Sequence, residues 1–374
     1  MAKAATISPR TGKKLNIFNS KKFLQGFSTG FATLLIALGA FTVMLPVFWM
    51  ISTSLKSPGN LLSIPPEWIP HEAGIVNING QDLYLYDVKL ADGTTKILAA
   101  VKLNPTKSEF VDPADTSKTY YAPASNIRQH FVTVIHWENY LVVWNFSATP
   151  FGSFMWNTVK YAFIAVFGEV MICSLVAYGF ARLRAPGKNF LFLLILATMM
   201  LPSAVTMIPA FVLFTKYIPD AINSVLGTSI KLADTWWPLY IPKFFGSAYL
   251  IFLIRQFYMS IPKDYDEAAR IDGAGFFQVW WQIIIPMSRP VLTAVAVLSF
   301  MYHWNDYLGP LIYLSSTDKL PLSVGLADFQ AAYGGTPYHL MMGGSLIAVV
   351  PLIIIFFFLN RYFIQGIVVS GVKG

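Results

Sequence analysis

The chain has 374 residues, of which 55% are hydrophobic and only 12% are charged, and its mean hydropathy is +0.54. Soluble domains carry about 25% charged residues, so this composition excludes an ordinary soluble protein and indicates a polytopic membrane protein. The net charge of +8 does not indicate nucleic-acid binding, because much of it lies in an N-terminal tail without acids, at Lys3, Arg10, Lys13, Lys14, Lys21 and Lys22.

The N-terminal tail and the apolar stretches together predict a topology. Basic residues beside a first span favour a cytoplasmic terminus, so residues 1–26 are predicted to be a cytoplasmic tail. A signal peptide is the weaker interpretation, because the apolar run after the tail is too long and has no clear cleavage site. A spanning helix needs about 20 apolar residues, and six stretches qualify: 27–52, 155–183, 190–214, 238–258, 291–308 and 341–363.

An even number of spans places both termini in the cytoplasm, on the inner side of a cell (plasma or inner) membrane. The fourth span is the least regular, because it contains Pro242, Lys243 and Arg255. The single cysteine, Cys173, excludes a disulfide within the chain. These features divide the chain into four predicted parts. They are the tail, a unit 27–70 with the first span and the start of an outer loop, an extracytoplasmic insertion 71–135, and a helical core 136–374.

The insertion 71–135 has the sequence signals of β structure. Asn79-Gly80 and Asp92-Gly93 are tight-turn pairs between residues that alternate in polarity. These signals predict a small β meander. A partly ordered loop is the alternative, because a few strands alone bury little apolar surface.

Residues 260–290 predict a short polar helix–turn–helix between two spans. Pro262 suits a first helical turn, acids follow at the positive end of the helix dipole, and Gly273 can end the helix in a left-handed conformation. Small residues leave room for another surface to approach. The candidate docking residues are Glu267, Ala268, Ala269, Asp272, Gly273, Ile283 and Pro286. An ordinary cytoplasmic hairpin with solvated acids is the alternative interpretation.

The spacing Glu-Ala-Ala, three residues, Gly, nine residues, Ile-x-apolar-Pro resembles the coupling loop of membrane subunits of ATP-binding-cassette (ABC) importers. Weaker stretches at 177–188, 199–209, 304–306 and 371–374 resemble MalG-type permease subunits of maltose-class carbohydrate importers. The resemblance implies an all-α, six-span type I importer (MetI-like) fold, here with a small β-rich extracytoplasmic insertion. It covers nearly the whole chain except the tail and the insertion.

The resemblance also implies the partners: a second, MalF-like permease, two ABC ATPases, an extracytoplasmic solute-binding protein and membrane lipid, with no nucleic acid. The chain itself has no phosphate-binding loop, because neither Gly12-Lys13 nor Gly187-Lys188 completes the required pattern. ATP and Mg are therefore expected on the partner ATPases. For this chain we expect no bound cofactor, no catalytic residues and no enzyme activity. The five histidines show no metal-like spacing, so no metal site is predicted.

Polar residues within the spans are the candidates for a substrate path. Glu169 lies in the middle of the second span, where an ionisable residue either faces a watery cavity or makes a structural hydrogen bond. Tyr302, Trp304, Asn305 and Asp306 combine stacking faces with hydrogen-bonding groups, which suits sugars. An interfacial aromatic belt is the alternative for Trp304.

An outer loop between the last two predicted spans is a further candidate site. The outer loop 309–339 contains Gly334 and Gly335, and the resemblance implies that this loop reaches into the binding protein; an ordinary connection is the alternative.

The predicted function is translocation of a carbohydrate, either an oligosaccharide or a sugar derivative. Other small solutes, an ion-driven secondary transporter and a membrane enzyme are the rivals. The last two would need inverted repeats or a cluster of catalytic groups, and the sequence shows neither.

Overall fold

The computed structural model describes residues 21–61, 67–90, 92–145, 150–332 and 337–368. Its longer helices are α1 (Lys21–Ser54), α3 (Phe151–Arg182), α12 (Arg289–Trp304) and α15 (Tyr338–Val368). Shorter helices lie between them: α2 (Glu138–Trp144), α4 (Lys188–Thr198), α5 (Ser203–Val212), α6 (Ile218–Leu226), α7 (Trp237–Tyr240), α8 (Ala248–Ser260), α9 (Asp264–Ile271), α10 (Phe276–Val279), α11 (Ile285–Met287), α13 (Leu308–Tyr313) and α14 (Leu322–Ala332).

The helical membrane architecture predicted from the sequence is confirmed. In the described residues, five helical segments are long and apolar enough to span a membrane: Gln25–Ser54, Phe151–Arg182, Ser203–Leu226, Trp237–Ser260 and Tyr338–Phe358. A sixth span is obtained if Phe276–Met287 and Arg289–Trp304 count as one, although they meet at an angle of 83°.

The predicted third span, 190–214, differs from the structure. α4 ends at Thr198, and the spanning segment is Ser203–Leu226 instead. Pro202 explains the break, since it has no N–H to donate and disfavours helical backbone in the residue before it. Farther on, Pro209 lies inside α5, and the π-helical turn Leu213–Tyr217 links α5 to α6. The third apolar stretch is therefore two helices rather than one.

The predicted β meander is also confirmed. Strands β2 (Ile75–Ile78), β3 (Gln81–Lys89), β4 (Thr95–Lys102), β5 (Ser108–Asp112) and β6 (Asp115–Ala122) pair in sequence order, all antiparallel. Asn79 and Gly80 make the β2–β3 turn with φ angles of +53° and +82°, as an Asn-Gly hairpin requires. The sheet buries its own small core, formed by Val88, Leu98, Phe110 and Ala122.

A two-stranded stem closes the β unit beside the end of α1. β1 (His71–Ala73) pairs with β8 (Phe131–Thr133), while β7 (Ile127–Gln129) pairs with β3. The two ends of the insertion thus lie next to each other. Asn139, which follows the β unit, is fastened to the end of α1, because its Nδ2 donates to the carbonyl oxygens of Ser54 at 2.8 Å and Lys56 at 3.0 Å.

His136 reinforces this attachment by bridging two carboxylates. Its Nδ1 contacts Glu138, and its Nε2 lies 2.7 Å from Oε1 of Glu72 on β1. The hydrogen bond to Glu138, with further contributions from Glu72, raises the pKa of His136 above its ordinary value of 6.5. The stem and the helical part of the chain are therefore joined by a histidine whose protonated form is favoured by its two carboxylate partners.

The bundle has two apolar clusters, and α3 contributes to both. Towards its N-terminus, Phe154 and Tyr161 pack in the cluster that also contains residues of α12 and α15. Towards its C-terminus, Cys173 and Tyr178 pack with residues of α8, α9 and the turn after α10. One continuous helix thus extends from the centre of the bundle to the polar loop at 260–290.

Candidate functional site

The polar loop is capped at the position that the sequence predicts. Gly273 has a φ of +83°, in the left-handed region. Its N–H donates to the carbonyl oxygen of Arg270 at 3.0 Å, and the N–H of Ala274 donates to that of Ala269 at 2.8 Å. This pair of bonds is the Schellman motif, which satisfies the last carbonyls of a helix and turns the chain sharply. α9 therefore ends in a fixed geometry.

The structure brings most of the predicted docking residues to one surface. Glu267, Ala268, Asp272 and Gly273 are exposed. Ile271 between them is 86% exposed, and a large apolar side chain in that environment suits a surface that a partner covers. Three candidates lie elsewhere: Ala269 is buried against the bundle, Ile283 is half-buried in the same apolar cluster, and Pro286 is exposed in α11.

A buried ion pair attaches the loop to α3. Nε of Arg182, the last residue of α3, lies 3.1 Å from Oδ2 of Asp266 on α9, and both side chains are nearly inaccessible. Arg182 also donates from Nη2 to the carbonyl oxygen of Ile261 at 2.8 Å. Burial raises the pKa of Asp266, against the opposing effect of Arg182. The sequence does not predict this pair, because nothing in the spacing shows that the two segments meet.

Glu169, near the middle of α3, is both hydrogen-bonded and part of a cavity wall. Its Oε2 accepts a hydrogen bond from Oγ of Ser299 at 2.6 Å and lies 3.0 Å from Nε2 of His303, both on α12. The cavity beside it has a volume of about 550 Å³ and is also lined by Lys243 and Tyr302. The two predicted environments of Glu169, an interhelical hydrogen bond and a cavity, are thus both present.

A second cavity of about 600 Å³ adjoins the first and shares Lys243 and Tyr302 with it. Asn305 and Asp306 line this second cavity. Oδ2 of Asp306 accepts a hydrogen bond from the hydroxyl of Tyr161 at 2.7 Å, and the N–H of Gly309 donates to Oδ1 at 3.1 Å. These bonds hold the carboxylate of Asp306 at the wall.

Trp304 is not brought to either cavity. It is 4% exposed in the bundle core, and its Nε1 donates to the carbonyl oxygen of Ala348 on α15 at 3.2 Å. Gly334 and Gly335 lie outside the described residues. Among the side chains that the structure describes, no three His, Cys, Asp or Glu residues converge as metal ligands would. Lys243, which the sequence analysis noted only as an irregularity of the fourth span, lines both cavities.

Comparison with known proteins gives concordant matches. Residues 169–369 match the family described as binding-protein-dependent transport system inner membrane component. The arabinooligosaccharides transport system permease protein AraQ of Halalkalibacterium halodurans is 31% identical over 259 residues, covering 68% of this chain and 88% of AraQ. The sn-glycerol-3-phosphate transport system permease protein UgpE of Yersinia pestis is 30% identical over 302 residues, covering 79% of this chain and 99% of UgpE.

A solved structure shares the fold. It is a bacterial ABC transporter involved in the import of the acidic polysaccharide alginate, and one of its chains matches with a TM-score of 0.58 and 20% identity. The match covers 91% of this chain and 97% of that chain. At this identity the likeness shows the fold alone. Together with the described helices, it shows that the bundle has the architecture of an ABC importer permease.

Proposed function

Because the chain belongs to the family of inner membrane components of binding-protein-dependent transport systems, we propose that it is the permease subunit of an ATP-driven importer. The solute is a carbohydrate, either an oligosaccharide or a sugar derivative. The observation that carries the proposal is the pair of adjoining cavities, where the Tyr302 ring lies beside carboxylate, amide and hydroxyl groups. Sugars need such a combination, since their C–H faces pack on aromatic rings and their hydroxyls both donate and accept hydrogen bonds. AraQ and the alginate importer are named for carbohydrates, and UgpE is named for a phosphorylated polyol.

The energy for transport comes from other subunits in this proposal. Two ABC ATPases bind ATP and Mg, a MalF-like permease completes the path, and an extracytoplasmic binding protein delivers the solute. The docking surface for an ATPase is the exposed face of α9 with Glu267, Ala268, Asp272 and Gly273. The loop that contains Gly334 and Gly335 is proposed to contact the binding protein. Movement of the ATPases then tilts the helices as rigid bodies, so that the cavities open to alternate sides of the membrane.

The proposed orientation places both termini in the cytoplasm of a multi-pass inner membrane protein and the β unit outside. The basic residues on the predicted inner loops support it. In a Cys173→Ser background, single cysteines introduced as Lys263→Cys and Asp92→Cys test it, since both native side chains are exposed. An impermeant thiol reagent on intact cells should label only the protein with Asp92→Cys. Labelling of only the Lys263→Cys protein would invert the topology.

The domain division is also a proposal: residues 71–135 form a separable extracytoplasmic insertion between 27–70 and the core 136–374. The paired ends of the stem and the independent core of the sheet support it. Replacement of 71–135 by a short Gly/Ser linker should leave membrane insertion and assembly with the partners intact. If the shortened chain cannot assemble, the β unit is part of the bundle architecture.

The decisive experiment for the function is uptake by the reconstituted complex. A panel of sugars, amino acids, peptides and polyamines should show ATP-dependent uptake of a carbohydrate alone. The matched control is the same complex with an ATPase subunit that cannot hydrolyse ATP, which should transport nothing. Uptake of only a non-carbohydrate solute would refute the substrate class and leave the fold unaffected.

A further inference from the structure

Lys243 occupies an unusual position for a cation in a membrane-spanning segment. It lies in the 3₁₀ turn Ile241–Phe244 that interrupts the segment Trp237–Ser260 between α7 and α8. A helix break of this kind is tolerated within a bilayer where the backbone lines a cavity. The side chain belongs to the walls of both cavities, so it lies where the two meet. A solute that passes from one cavity to the other passes Lys243.

The ammonium group of Lys243 lacks the partners that a second cation in the same segment has. Arg255 donates from Nε to the carbonyl oxygen of Phe180 at 3.4 Å, and its guanidinium lies 4.1 Å from the ring centroid of Phe192. In the described part of the chain, Lys243 has no hydrogen-bond acceptor and no carboxylate within 4.0 Å. Its Nζ lies 5.4 Å from the ring centroid of Tyr302, and its charge acts on the Glu169 carboxylate from beyond ion-pair distance. Cations at membrane depth are costly, face the bundle interior or a watery cavity, and mark substrate pathways.

The acidic groups that share the cavity walls with Lys243 are bonded to other residues through at least one oxygen each. Oε2 of Glu169 accepts from Ser299 and contacts His303, while both carboxylate oxygens of Asp306 accept hydrogen bonds. The three N–H donors of Lys243 are therefore available to a molecule in the cavity. The acceptor that such a donor takes is an oxygen atom, either a hydroxyl or a carboxylate.

We propose that Lys243 is a solute-binding residue: as the carbohydrate crosses between the cavities, Nζ donates a hydrogen bond to one of its oxygens while the Tyr302 ring packs against the sugar face. The proposal rests on the proposed function and adds the specific contact. It also explains why a lysine stands in the fourth span, where an apolar residue would favour membrane insertion. Hydroxyl and carboxylate oxygens are the two sources of this chemistry.

The test uses the whole complex with its binding protein, and a matched control in the neighbouring segment. Lys216 also lies near a tyrosine ring, with Nζ 5.9 Å from the centroid of Tyr217, but it lines neither cavity. Maximal uptake is measured with saturating binding protein loaded with the transported sugar, for the wild-type complex and for Lys243→Met, Lys243→Arg and Lys216→Met. We expect Lys243→Met to lower uptake at least tenfold, Lys243→Arg to lower it less, and Lys216→Met to leave it unchanged.

A second measurement separates binding from a defect of assembly, which would slow every solute equally. Uptake of mono-deoxy analogues, and of a carboxyl-reduced analogue where the sugar is acidic, is measured for the wild-type and Lys243→Met complexes. The proposal predicts that removal of one particular oxygen slows the wild-type complex but has no additional effect in Lys243→Met. A deoxy analogue with this behaviour identifies a hydroxyl partner, and the carboxyl-reduced analogue identifies a carboxylate.

Two results would overturn parts of the reasoning separately. If the wild-type complex transports a carbohydrate and Lys243→Met behaves like Lys216→Met with every analogue, Lys243 does not bind the solute, and the proposed function stands. If the wild-type complex transports no carbohydrate at all, the proposed function fails, and this inference fails with it.

Discussion

Gly273→Ser should weaken the association of this permease with its ATPase through backbone strain alone. A Cβ added at Gly273 would meet no atom within 4 Å, so the substitution introduces no clash. Its cost comes from the φ of +83°, a conformation that is about 1–2 kcal/mol higher in free energy for an L-amino acid. If the free loop of the variant relieves this strain by leaving the left-handed conformation and the docked loop must regain it, the same free energy is lost from docking, which corresponds to a factor of roughly 5–30 in affinity.

The loop offers a matched control two residues away. Gly275 is equally exposed, but its φ is −77° and it is the N-cap of α10, where serine is a favoured residue. Gly275→Ser should therefore leave the affinity unchanged or slightly higher. Gly273→Asn should fall between Gly273→Ser and the wild-type protein, because asparagine tolerates the left-handed conformation. The assay is a titration of ATPase subunits onto permease complexes in nanodiscs, with permease content determined for each variant.

Two outcomes would refute this reasoning. If Gly273→Ser binds the ATPase as tightly as the wild-type complex, docking does not require the free loop to regain the left-handed cap. If Gly275→Ser weakens binding as much as Gly273→Ser, the surface is sensitive to any added side chain, and backbone conformation is not the cause.

Three further predictions concern stability. Gly325→Ala places a Cβ 2.5 Å from a buried phenylalanine ring and should lower the free energy of unfolding by about 1–3 kcal/mol. In the control Gly343→Ala, the added Cβ meets atoms only at 3.7 Å or beyond, so this variant should be tolerated. Thermal unfolding in detergent measures both. Arg182→Met leaves Asp266 buried without its partner and should cost on the order of 3 kcal/mol in the same assay, with recovery on adding Asp266→Leu. Because the pKa of His136 is raised in the folded protein, its contribution to the stability of the stem is complete below about pH 6.5 and is lost as the pH rises through the raised value. Proteolysis at the stem should therefore increase with pH in the wild-type protein but not in His136→Gln.

Local signals in the sequence were sufficient for the parts of the fold that local chemistry determines. The cap at Gly273 and the turn at Asn79-Gly80 depend on positive φ angles that few residues adopt, so they are visible in the sequence. The chain leaves the helical conformation before Pro202, so the third spanning segment lies farther towards the C-terminus than the apolar stretch 190–214 predicts. A hydropathy count alone does not locate such a break.

Contacts between distant segments could not be predicted in the same way. Trp304 lies two residues from Tyr302, yet Tyr302 is exposed at the cavities and Trp304 is buried against α15. Successive residues of a helix point about 100° apart, so which of them faces a cavity depends on how the helix is rotated within the bundle. The same holds for Arg182 and Asp266, whose pairing requires α3 and α9 to meet.

α3 physically connects the polar loop at 260–290 to the cavities. Arg182 at its end holds α9 through Asp266, and Glu169 lies thirteen residues earlier on the same helix, about 20 Å away at 1.5 Å per residue. A rigid tilt of roughly 10° about the loop end would therefore move Glu169 by about 3 Å. O–H···O hydrogen bonds reach to about 3.0 Å. The 2.6 Å bond between Glu169 and Ser299 on α12 therefore breaks when a tilt of α3 relative to α12 carries the two oxygens apart by this displacement, and the shape of the cavity changes with it.

This coupling can be measured with spin labels on the two helices. Phe167 on α3 and Met301 on α12 are both exposed, so that Phe167→Cys and Met301→Cys in a Cys173→Ser background place labels outside the core. Pulsed electron paramagnetic resonance should show the distance between the labels changing by about 3 Å between the nucleotide-free and ATP-bound complexes, as the lever arm of α3 requires. The change should disappear in Arg182→Met, because the loop is then no longer fastened to the helix. An unchanged distance in the active wild-type background would mean that the two helices move together and that the cavities open by another route.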